Sequence, residues 1–560
     1  MTLRYITLAL ASALALSASA QSLTKEITVE HEIIPEQREA TRLNFMPSIN
    51  LSPITATRLS YSERVASSRI ASALTILEPA AFDDAIYVSP FKGYAALGFF
   101  PMYNTNLSAG YRFIDNERTR VNGWMQYNGT AYKRDGSYYR RNTASLGAML
   151  HQAIGGKSVL DAGVGYTFAR YNLYDADALR PQNLHKFDLN ALFRSSHSDF
   201  DYNIGVSFNR FAYVDNPDWA LAQPAPFAKR QNLYGVAGGM AFGINDRSSL
   251  TIDVDFTASS LRMDYLKEYG SKSDQLLTVT PKYSLSGNNA VLDLGARIDF
   301  TLHGDKVFHI APDAKLTIMP ASQFSLYVKA GGGEHRNTLS SLYDCAPFVQ
   351  PYAQNRFSHI PLTADAGITI GPFRGFHFDL YGGYAIANDW LMPAFMDDSR
   401  ICLFEQIDMK GWRVGAALGY KYNDIVELKA SFEAAPQKYD RGYYLWRDRA
   451  KNVLDASLRV TPISALDITA GFELRTKRAM WSVYPDVDLS DPGNINWDEY
   501  QPTEVSLGNM SNLKLGALYR IDSQWSAFVR GENLLNKKCL LPGNIPMQGL
   551  TGLVGVTYKF

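Results

Sequence analysis

The chain has 560 residues, and its 55 Lys and Arg balance its 55 Asp and Glu, so the formal net charge is zero. Such a chain lacks the basic surface that binds nucleic acid, and we expect no nucleic-acid partner. Hydrophobic residues make up 46% of the chain, yet beyond the N-terminus no apolar run is long enough to predict a transmembrane helix. Aromatic residues reach 12%, which favours a sheet with one face in lipid and the other in water.

The N-terminus predicts export. Arg4 supplies a positive charge, residues 5–16 are apolar, and a run of small residues ends at Ala20. Together they predict that residues 1–20 are a secretory signal peptide, cleaved before Gln21, with a short buried helix as the alternative. Residues 21–90 carry scattered prolines and charges without a sustained period. We predict an irregular segment there, either in the periplasm or in the lumen of the domain that follows.

From residue 91 to residue 560 the sequence is a series of segments in which apolar and polar residues alternate. In residues 250–257, for example, Leu, Ile, Val and Phe alternate with Thr and Asp. A period of two predicts a strand with two different faces. About 22 such segments occur, and an even number of antiparallel strands is typical of bacterial outer-membrane barrels.

The connections between these segments fall into two classes. Short turns rich in Asn, Asp and Ser are predicted at 195–198, 245–247, 286–289, 423–424 and 522–524. Long connections are predicted around 171–184, 214–228, 338–356, 392–409, 436–448 and 484–504. Short turns on one side and long loops on the other are the asymmetry of outer-membrane barrels, in which the short side is periplasmic.

These patterns predict an all-β fold, a transmembrane antiparallel β-barrel of about 22 strands over residues 91–560, preceded by the irregular segment. A closed sheet is required in lipid because every backbone N–H and C=O needs a partner inside the protein. The predicted location is the outer membrane of a Gram-negative bacterium. The expected partners are outer-membrane lipid, lipopolysaccharide and the barrel assembly machinery.

The C-terminal strand ends on an aromatic residue. Gly555, Tyr558 and Phe560 form a pattern that we expect the assembly machinery to recognise, with an ordinary terminal strand as the alternative. Residues 528–560 resemble the final hairpin of TonB-dependent receptors: an Asn-Leu-Leu-Asn-Lys strand end at 533–537, a Pro-Gly loop and a terminal Tyr-Lys-Phe. The resemblance implies a barrel of about 22 strands and does not indicate a substrate.

The N-terminal segment departs from this family. The family gates its barrel with an N-terminal plug inside the lumen, roughly twice as long as the 70 residues of 21–90. The resemblance therefore implies a receptor-like barrel without the full plug domain. Glu26, Ile27, Thr28 and Val29 faintly resemble the short box that pairs with TonB by strand addition, with an extended polar arm as the alternative.

The sequence predicts no enzyme, cofactor or metal site. It contains no phosphate loop, no His-Glu-x-x-His and no Cys-x-x-Cys. The nine His are scattered, and His335, beside Glu334 and after three glycines, is interpreted as a lumen-facing or rim residue. The basic and aromatic residues 132–141 have two interpretations: capture of a ligand or partner, or an aromatic girdle with cations facing lipid phosphates.

Two of the three cysteines are predicted to form a disulfide. Cys345 and Cys402 fall in long connections on the same side of the barrel, one hairpin apart. A bond between them would tie two loops together. Cys539, in the last long connection, would be left outside this bond.

Two functions follow from these expectations. The first is a plugless relative of TonB-dependent receptors that acts in transport across the outer membrane as a channel or receptor. Its lumen must be closed, because an open barrel of this size would leak; inward-folded loops, residues 21–90 or a protein partner could close it. The second is an accessory or scaffold barrel that docks other outer-membrane or surface proteins and transports nothing.

Overall fold

The computed structural model describes a single sheet-rich unit. The described residues, all within Ser67–Phe560, are 90–100, 104–173, 180–197, 200–214, 228–263, 271–302, 308–345, 357–396, 402–435, 437–439, 450–483, 503–541 and 545–560. Most of the described residues lie in strands, and 22 of these strands form a closed antiparallel barrel. The all-β prediction and the predicted strand number are therefore confirmed.

The 22 barrel strands follow one another around the barrel in chain order. They are β1 (Gly93–Phe100), β2 (Asn104–Asp115), β3 (Thr119–Arg134), β4 (Ser137–Ile154), β5 (Ser158–Leu173), β6 (Arg180–Ser196), β7 (Phe200–Tyr213), β8 (Ala228–Asn245), β9 (Ser248–Met263), β10 (Ser271–Ser286), β11 (Ala290–Thr301), β12 (Phe308–Ala321), β13 (Phe324–Arg336), β14 (Phe357–Phe373), β15 (Phe376–Met396), β16 (Cys402–Tyr422), β17 (Val426–Ala434), β19 (Asn452–Ile463), β20 (Leu466–Thr476), β23 (Met510–Arg520), β24 (Trp525–Glu532) and β27 (Thr551–Lys559). The connections contain β18 (Gln437–Tyr439), β21 (Ala479–Val483), β22 (Thr503–Ser506), β25 (Leu540–Leu541), β26 (Ile545–Pro546) and a helix, α1 (Leu339–Cys345).

The first and last strands close the barrel. β27 pairs antiparallel with β24 on one side and with β1 on the other, in a register that places Tyr94 opposite Lys559. Two backbone hydrogen bonds complete the seam: Gly93 N donates to Phe560 O at 2.8 Å, and Phe560 N donates to Gly93 O at 2.9 Å. Closure removes the exposed edge that an open sheet would present.

The outer face of the barrel is apolar. In β8, large exposed hydrophobes occupy alternate positions apart from Gly238: Tyr234 is 50%, Val236 53%, Met240 50% and Ile244 59% exposed. A continuous apolar belt would be a liability in water, but it matches the hydrocarbon layer of a membrane. The structure is that of an outer-membrane protein, as the sequence predicted. Among the described residues, no helix is long and apolar enough to cross a membrane.

The two ends of the barrel differ as predicted. Ten connections on one side are two to four residues long, whereas the connections on the other side, which we call the long-loop end, include the 20 residues between β13 and β14. The long-loop end is extracellular in barrels of this type. Two predicted connections were too wide: most of residues 171–184 lie in β5 and β6, and most of residues 392–409 lie in β15 and β16, which are 21 residues each. About 10 residues suffice to cross the membrane, so these strands continue as a ladder outside it.

Candidate functional site

Helix α1 lies against the inner wall of the barrel near the long-loop end. Its first turn is capped by reciprocal bonds: Ser341 N donates to Thr338 Oγ1, and Thr338 N donates to Ser341 Oγ, both at 3.0 Å. This arrangement satisfies two donors that a helix start leaves exposed. Leu339 N donates to Oε1 of Gln231 in β8 at 2.7 Å, in a buried position. The described start of the connection between β13 and β14, residues 337–345, therefore folds inward.

An aromatic cluster holds α1 in place. Its members are buried to 8% exposure or less and are Tyr139, Tyr171, Phe211, Tyr213 and Tyr343. The Tyr343 ring lies 5.5 Å from Tyr171 and 5.7 Å from Phe211. Lys186 Nζ lies 5.0 Å from the Tyr343 ring and 3.0 Å from Asp344 Oδ1, so one cation joins the helix to β6. Burial raises the pKa of Tyr343 to about 12.

The last long connection, residues 533–550, is organised by one asparagine. Asn533 is 2% exposed and has a positive φ of 47°. Its Nδ2 donates to Lys537 O at 3.1 Å and to Gln548 O at 2.8 Å, and its Oδ1 accepts from Lys537 N at 2.9 Å. Asn tolerates this backbone conformation better than most residues. The Asn-Leu-Leu-Asn-Lys strand end is thus the turn that starts this connection.

The start of the basic and aromatic segment 132–141, at the end of β3 and in the β3–β4 turn, holds the same connection. Tyr132 Oη donates to Pro546 O at 2.8 Å, and Arg134 Nη2 donates to Lys537 O at 3.2 Å. Lys538 Nζ lies 2.6 Å from Asp135 Oδ1, and this hydrogen bond holds the pKa of Asp135 below its usual value. Neither sequence interpretation described this role, since the contacts join residues about 400 positions apart.

A buried ionic network lines the wall next to the aromatic cluster. Asp299, 1% exposed, accepts from Arg297 Nε at 3.0 Å and from Glu334 N at 2.8 Å. Arg336 pairs with Asp274, and Arg336 Nη2 donates to Thr257 O at 3.0 Å. Buried charges persist when they are paired and hydrogen-bonded. The charged residues predicted to line the lumen therefore form a paired and hydrogen-bonded network at this end of the barrel.

The three glycines before Glu334 shape this network. Gly333 has φ +120°, and a Cβ there would lie 2.4 Å from the Arg297 side chain. The β13–β14 register shifts between Gly331 and Gly333. A shift of one residue moves every later side chain of the strand to the other face. Val328, before the shift, is exposed on the outer face. Glu334, also even-numbered but after the shift, therefore points inward.

Glu334 lies with two histidines from the adjacent strands. His309 Nδ1 is 2.8 Å and His359 Nδ1 2.9 Å from Glu334 Oε1. The side chains are 12%, 14% and 3% exposed for His309, His359 and Glu334. The sequence analysis did not find this group, because its members lie on three different strands. His335, the histidine it discussed, takes no part: its exposed ring lies 5.6 Å from the Trp390 ring.

The C-terminal residues predicted as an assembly pattern lie at the barrel seam. Tyr558 and Phe560 form an aromatic row near the short-turn end, with ring centroids 5.8 Å apart, and the Trp525 ring is 4.5 Å from Tyr558. Gly555 faces Phe528, and an added Cβ would lie 2.3 Å from both Phe528 and a backbone oxygen of Leu97. Recognition by the assembly machinery remains a prediction.

Other predicted residues lie outside the described part of the chain. These are the cleavage residues Ala20 and Gln21, the TonB-box-like residues Glu26, Ile27, Thr28 and Val29, and the side chains of Cys345 and Cys402. The cleavage, the TonB contact and the disulfide therefore stay predictions. Cys539 is buried, and its sulfur lies 3.4 Å from the Met547 sulfur.

The fold and its lining define a 22-stranded outer-membrane β-barrel. No protein-family model and no curated protein matches the chain. Solved structures do match its fold. The siderophore receptor PirA from Acinetobacter baumannii has a TM-score of 0.65 at 10% identity, over 84% of this chain and 80% of that chain.

Two receptors from Pseudomonas aeruginosa are similar to the same extent. A mutant of the ferric enterobactin receptor PfeA has a TM-score of 0.62 at 11% identity, over 84% of this chain and 80% of that chain. The ferripyoverdine receptor of the outer membrane has a TM-score of 0.61 at 12% identity, over 84% of this chain and 72% of that chain. The barrel thus has the fold of outer-membrane siderophore receptors, which confirms the resemblance to TonB-dependent receptors at the level of fold.

Proposed function

We propose that this chain acts in transport across the outer membrane as a receptor-type barrel whose ligand enters from the long-loop end. The observation that supports the proposal is the ordered inner wall of the barrel near the long-loop end. Paired charges and an aromatic cluster, both buried, line the wall of a barrel that shares its fold with siderophore receptors. Ligand sites in proteins combine apolar surface with a few fixed polar groups, and this surface has both.

Inward-folded loops support a closed rather than an open lumen. Helix α1 is fixed to the wall through Gln231, and residues 533–550 are fixed through Tyr132 and Arg134. We propose that these elements close part of the lumen, as the plug does in the family that the sequence resembles. The barrel would then act as a gated receptor or channel.

The same loops favour a second candidate. Elements that fill the long-loop end with many specific contacts also suit an accessory or scaffold barrel that docks other outer-membrane or surface proteins. In that role the loops would be a permanent closure, and the lumen would carry no ligand. The two functions differ in one respect: in a transport protein, release of a loop opens a path through the lumen, and in a scaffold it does not.

Conductance across a planar bilayer separates them. The purified full-length chain would be compared with Asn533→Ala, which removes three hydrogen bonds inside residues 533–550. Transport predicts low or gated wild-type current and a higher current in the variant. Asn423→Ala, in a short turn and with the same positive φ of 47°, is the control and should behave as wild type. If none of the three proteins conducts current, and another outer-membrane or surface protein co-purifies stably with the wild type, the scaffold role is supported instead.

A further inference from the structure

We propose that His309, Glu334 and His359 form a binding site for a divalent transition-metal ion of the Zn²⁺ class on the inner wall of the barrel. The potential ligand atoms of the three side chains lie within 4.8 Å of one another. Both Nδ1 atoms approach the same carboxylate oxygen, at 2.8 and 2.9 Å. The proposal concerns ion binding and does not depend on transport by this barrel.

The backbone holds the three ligands in place. Glu334 and His359 are direct cross-strand partners in β13 and β14. His309, in β12, is paired with Asp299 of β11, and Asp299 in turn accepts the Glu334 amide at 2.8 Å. Ligands set by a hydrogen-bonded sheet are fixed before an ion arrives, which reduces the cost of ordering them.

The spacing of the ligand atoms is close to what an ion needs. Bonds of about 2.0–2.1 Å from imidazole nitrogen and about 2.0–2.2 Å from carboxylate oxygen place tetrahedral ligand atoms about 3.3 Å apart. The nitrogen-to-oxygen distances of 2.8 and 2.9 Å would therefore lengthen by about half an ångström. Small side-chain rotations provide such a change.

The donor set selects the ion. Two imidazoles and one carboxylate suit Zn²⁺, Co²⁺, Ni²⁺ or Cu²⁺, whereas Ca²⁺ and Mg²⁺ prefer oxygen ligands alone. Three protein ligands leave a fourth position for water or for a donor atom from a bound molecule. The burial of Glu334 also favours a cation, because a divalent ion compensates the carboxylate in a site of low polarity.

The neighbouring ionic network forms hydrogen bonds with the backbone of one proposed ligand, Glu334. Arg297 Nη2 donates to the backbone oxygen of Glu334 at 2.9 Å, and Arg297 is itself paired with Asp299. Hydrogen bonds around metal ligands commonly set ligand orientation and affinity. These bonds fix the backbone of Glu334.

Direct metal binding tests the proposal. The full-length protein would be purified in detergent without a His tag, stripped with a chelator and titrated with Zn²⁺ by calorimetry, with the bound metal counted by mass spectrometry. We expect about one Zn²⁺ per chain and no competition from Mg²⁺. His309→Ala, His359→Ala and Glu334→Gln should each weaken binding on the order of tenfold or more.

A matched control is available in the same lumen. His151 Nδ1 lies 2.7 Å from Asp161 Oδ1, a two-residue pair without a third metal ligand among the described residues. His151→Ala should leave Zn²⁺ binding unchanged. Each variant is first checked for folding by its heat-dependent mobility in gel electrophoresis. If a variant fails to fold, Co²⁺ added to the wild type still decides, because a site with this donor set gives a tetrahedral visible spectrum.

Three results would overturn the site. One is the absence of Zn²⁺ binding to the folded wild type. Another is equal loss of binding in His151→Ala and His309→Ala, which would indicate non-specific uptake. The third is an octahedral Co²⁺ spectrum. In each case the three side chains pack together without an ion, and the conductance experiment on Asn533→Ala is unaffected.

Discussion

Replacing Asn533 by Ala should release residues 533–550 from the mouth of the barrel without unfolding the barrel. The side chain makes three hydrogen bonds within this connection. A buried hydrogen bond contributes about 1 kcal/mol net. Ala at φ 47° adds about 1 kcal/mol of backbone strain. The sum is about 4 kcal/mol, which corresponds to a roughly thousandfold increase in opening of the connection.

Hydrogen exchange with mass-spectrometric detection measures this opening. The amide of Met547 is a suitable reporter, because it donates to Cys539 O at 2.9 Å inside the connection. Protection of peptides from 533–550 should fall by up to the same factor, while peptides from β8 stay protected. Asn423→Ala shares the backbone strain but lies in a short turn, so its exchange in 533–550 should match wild type. Equal exchange in the two variants would refute the role of the Asn533 side chain.

Three further changes test other parts of the structure. Asp299→Asn should lower stability by about 1.5–3 kcal/mol, read as a lower urea midpoint, because it removes a buried carboxylate that accepts from the half-buried Arg297 and from the Glu334 amide; an unchanged midpoint would contradict this. Gly555→Ala should reduce the folded fraction, since a Cβ would lie 2.3 Å from a backbone oxygen of β1, whereas Gly243→Ala, with open space around it, should not. Alkylation of the unfolded, unreduced protein should find one thiol if Cys345 and Cys402 are bonded, and three thiols would exclude that bond.

The barrel itself could be predicted from the sequence because the pattern that indicates each strand lies within the strand's own residues. Each strand alternates between lipid and lumen, so every segment such as 250–257 carries its own signature of period two. The short turns were also local, and all five predicted ones lie between consecutive barrel strands. The strand ends were less predictable: β15 and β16 continue well beyond the membrane, where both faces meet water and the alternation weakens.

The candidate site could not be predicted, since its contacts are long-range. Tyr132 and Pro546 are 414 positions apart, and Arg336 reaches back 79 positions to Thr257. A bulge adds a second difficulty, because the register shift at Gly331–Gly333 turns Glu334 inward against the alternation of its strand. The three glycines were visible in the sequence, and read as a bulge they would have placed Glu334 in the lumen.

The sequence by itself determined the class of fold, the strand number and which end carries the long loops. Those properties depend on side-chain alternation and turn chemistry within about 20 residues of chain. Only the tertiary structure decided which inward side chains meet: α1 with the aromatic cluster, Asn533 with Gln548, and His309 with Glu334 and His359. The physical reason is closure of the barrel. Closing the sheet sets the position of every lumen side chain at once, through pairings that no single segment contains.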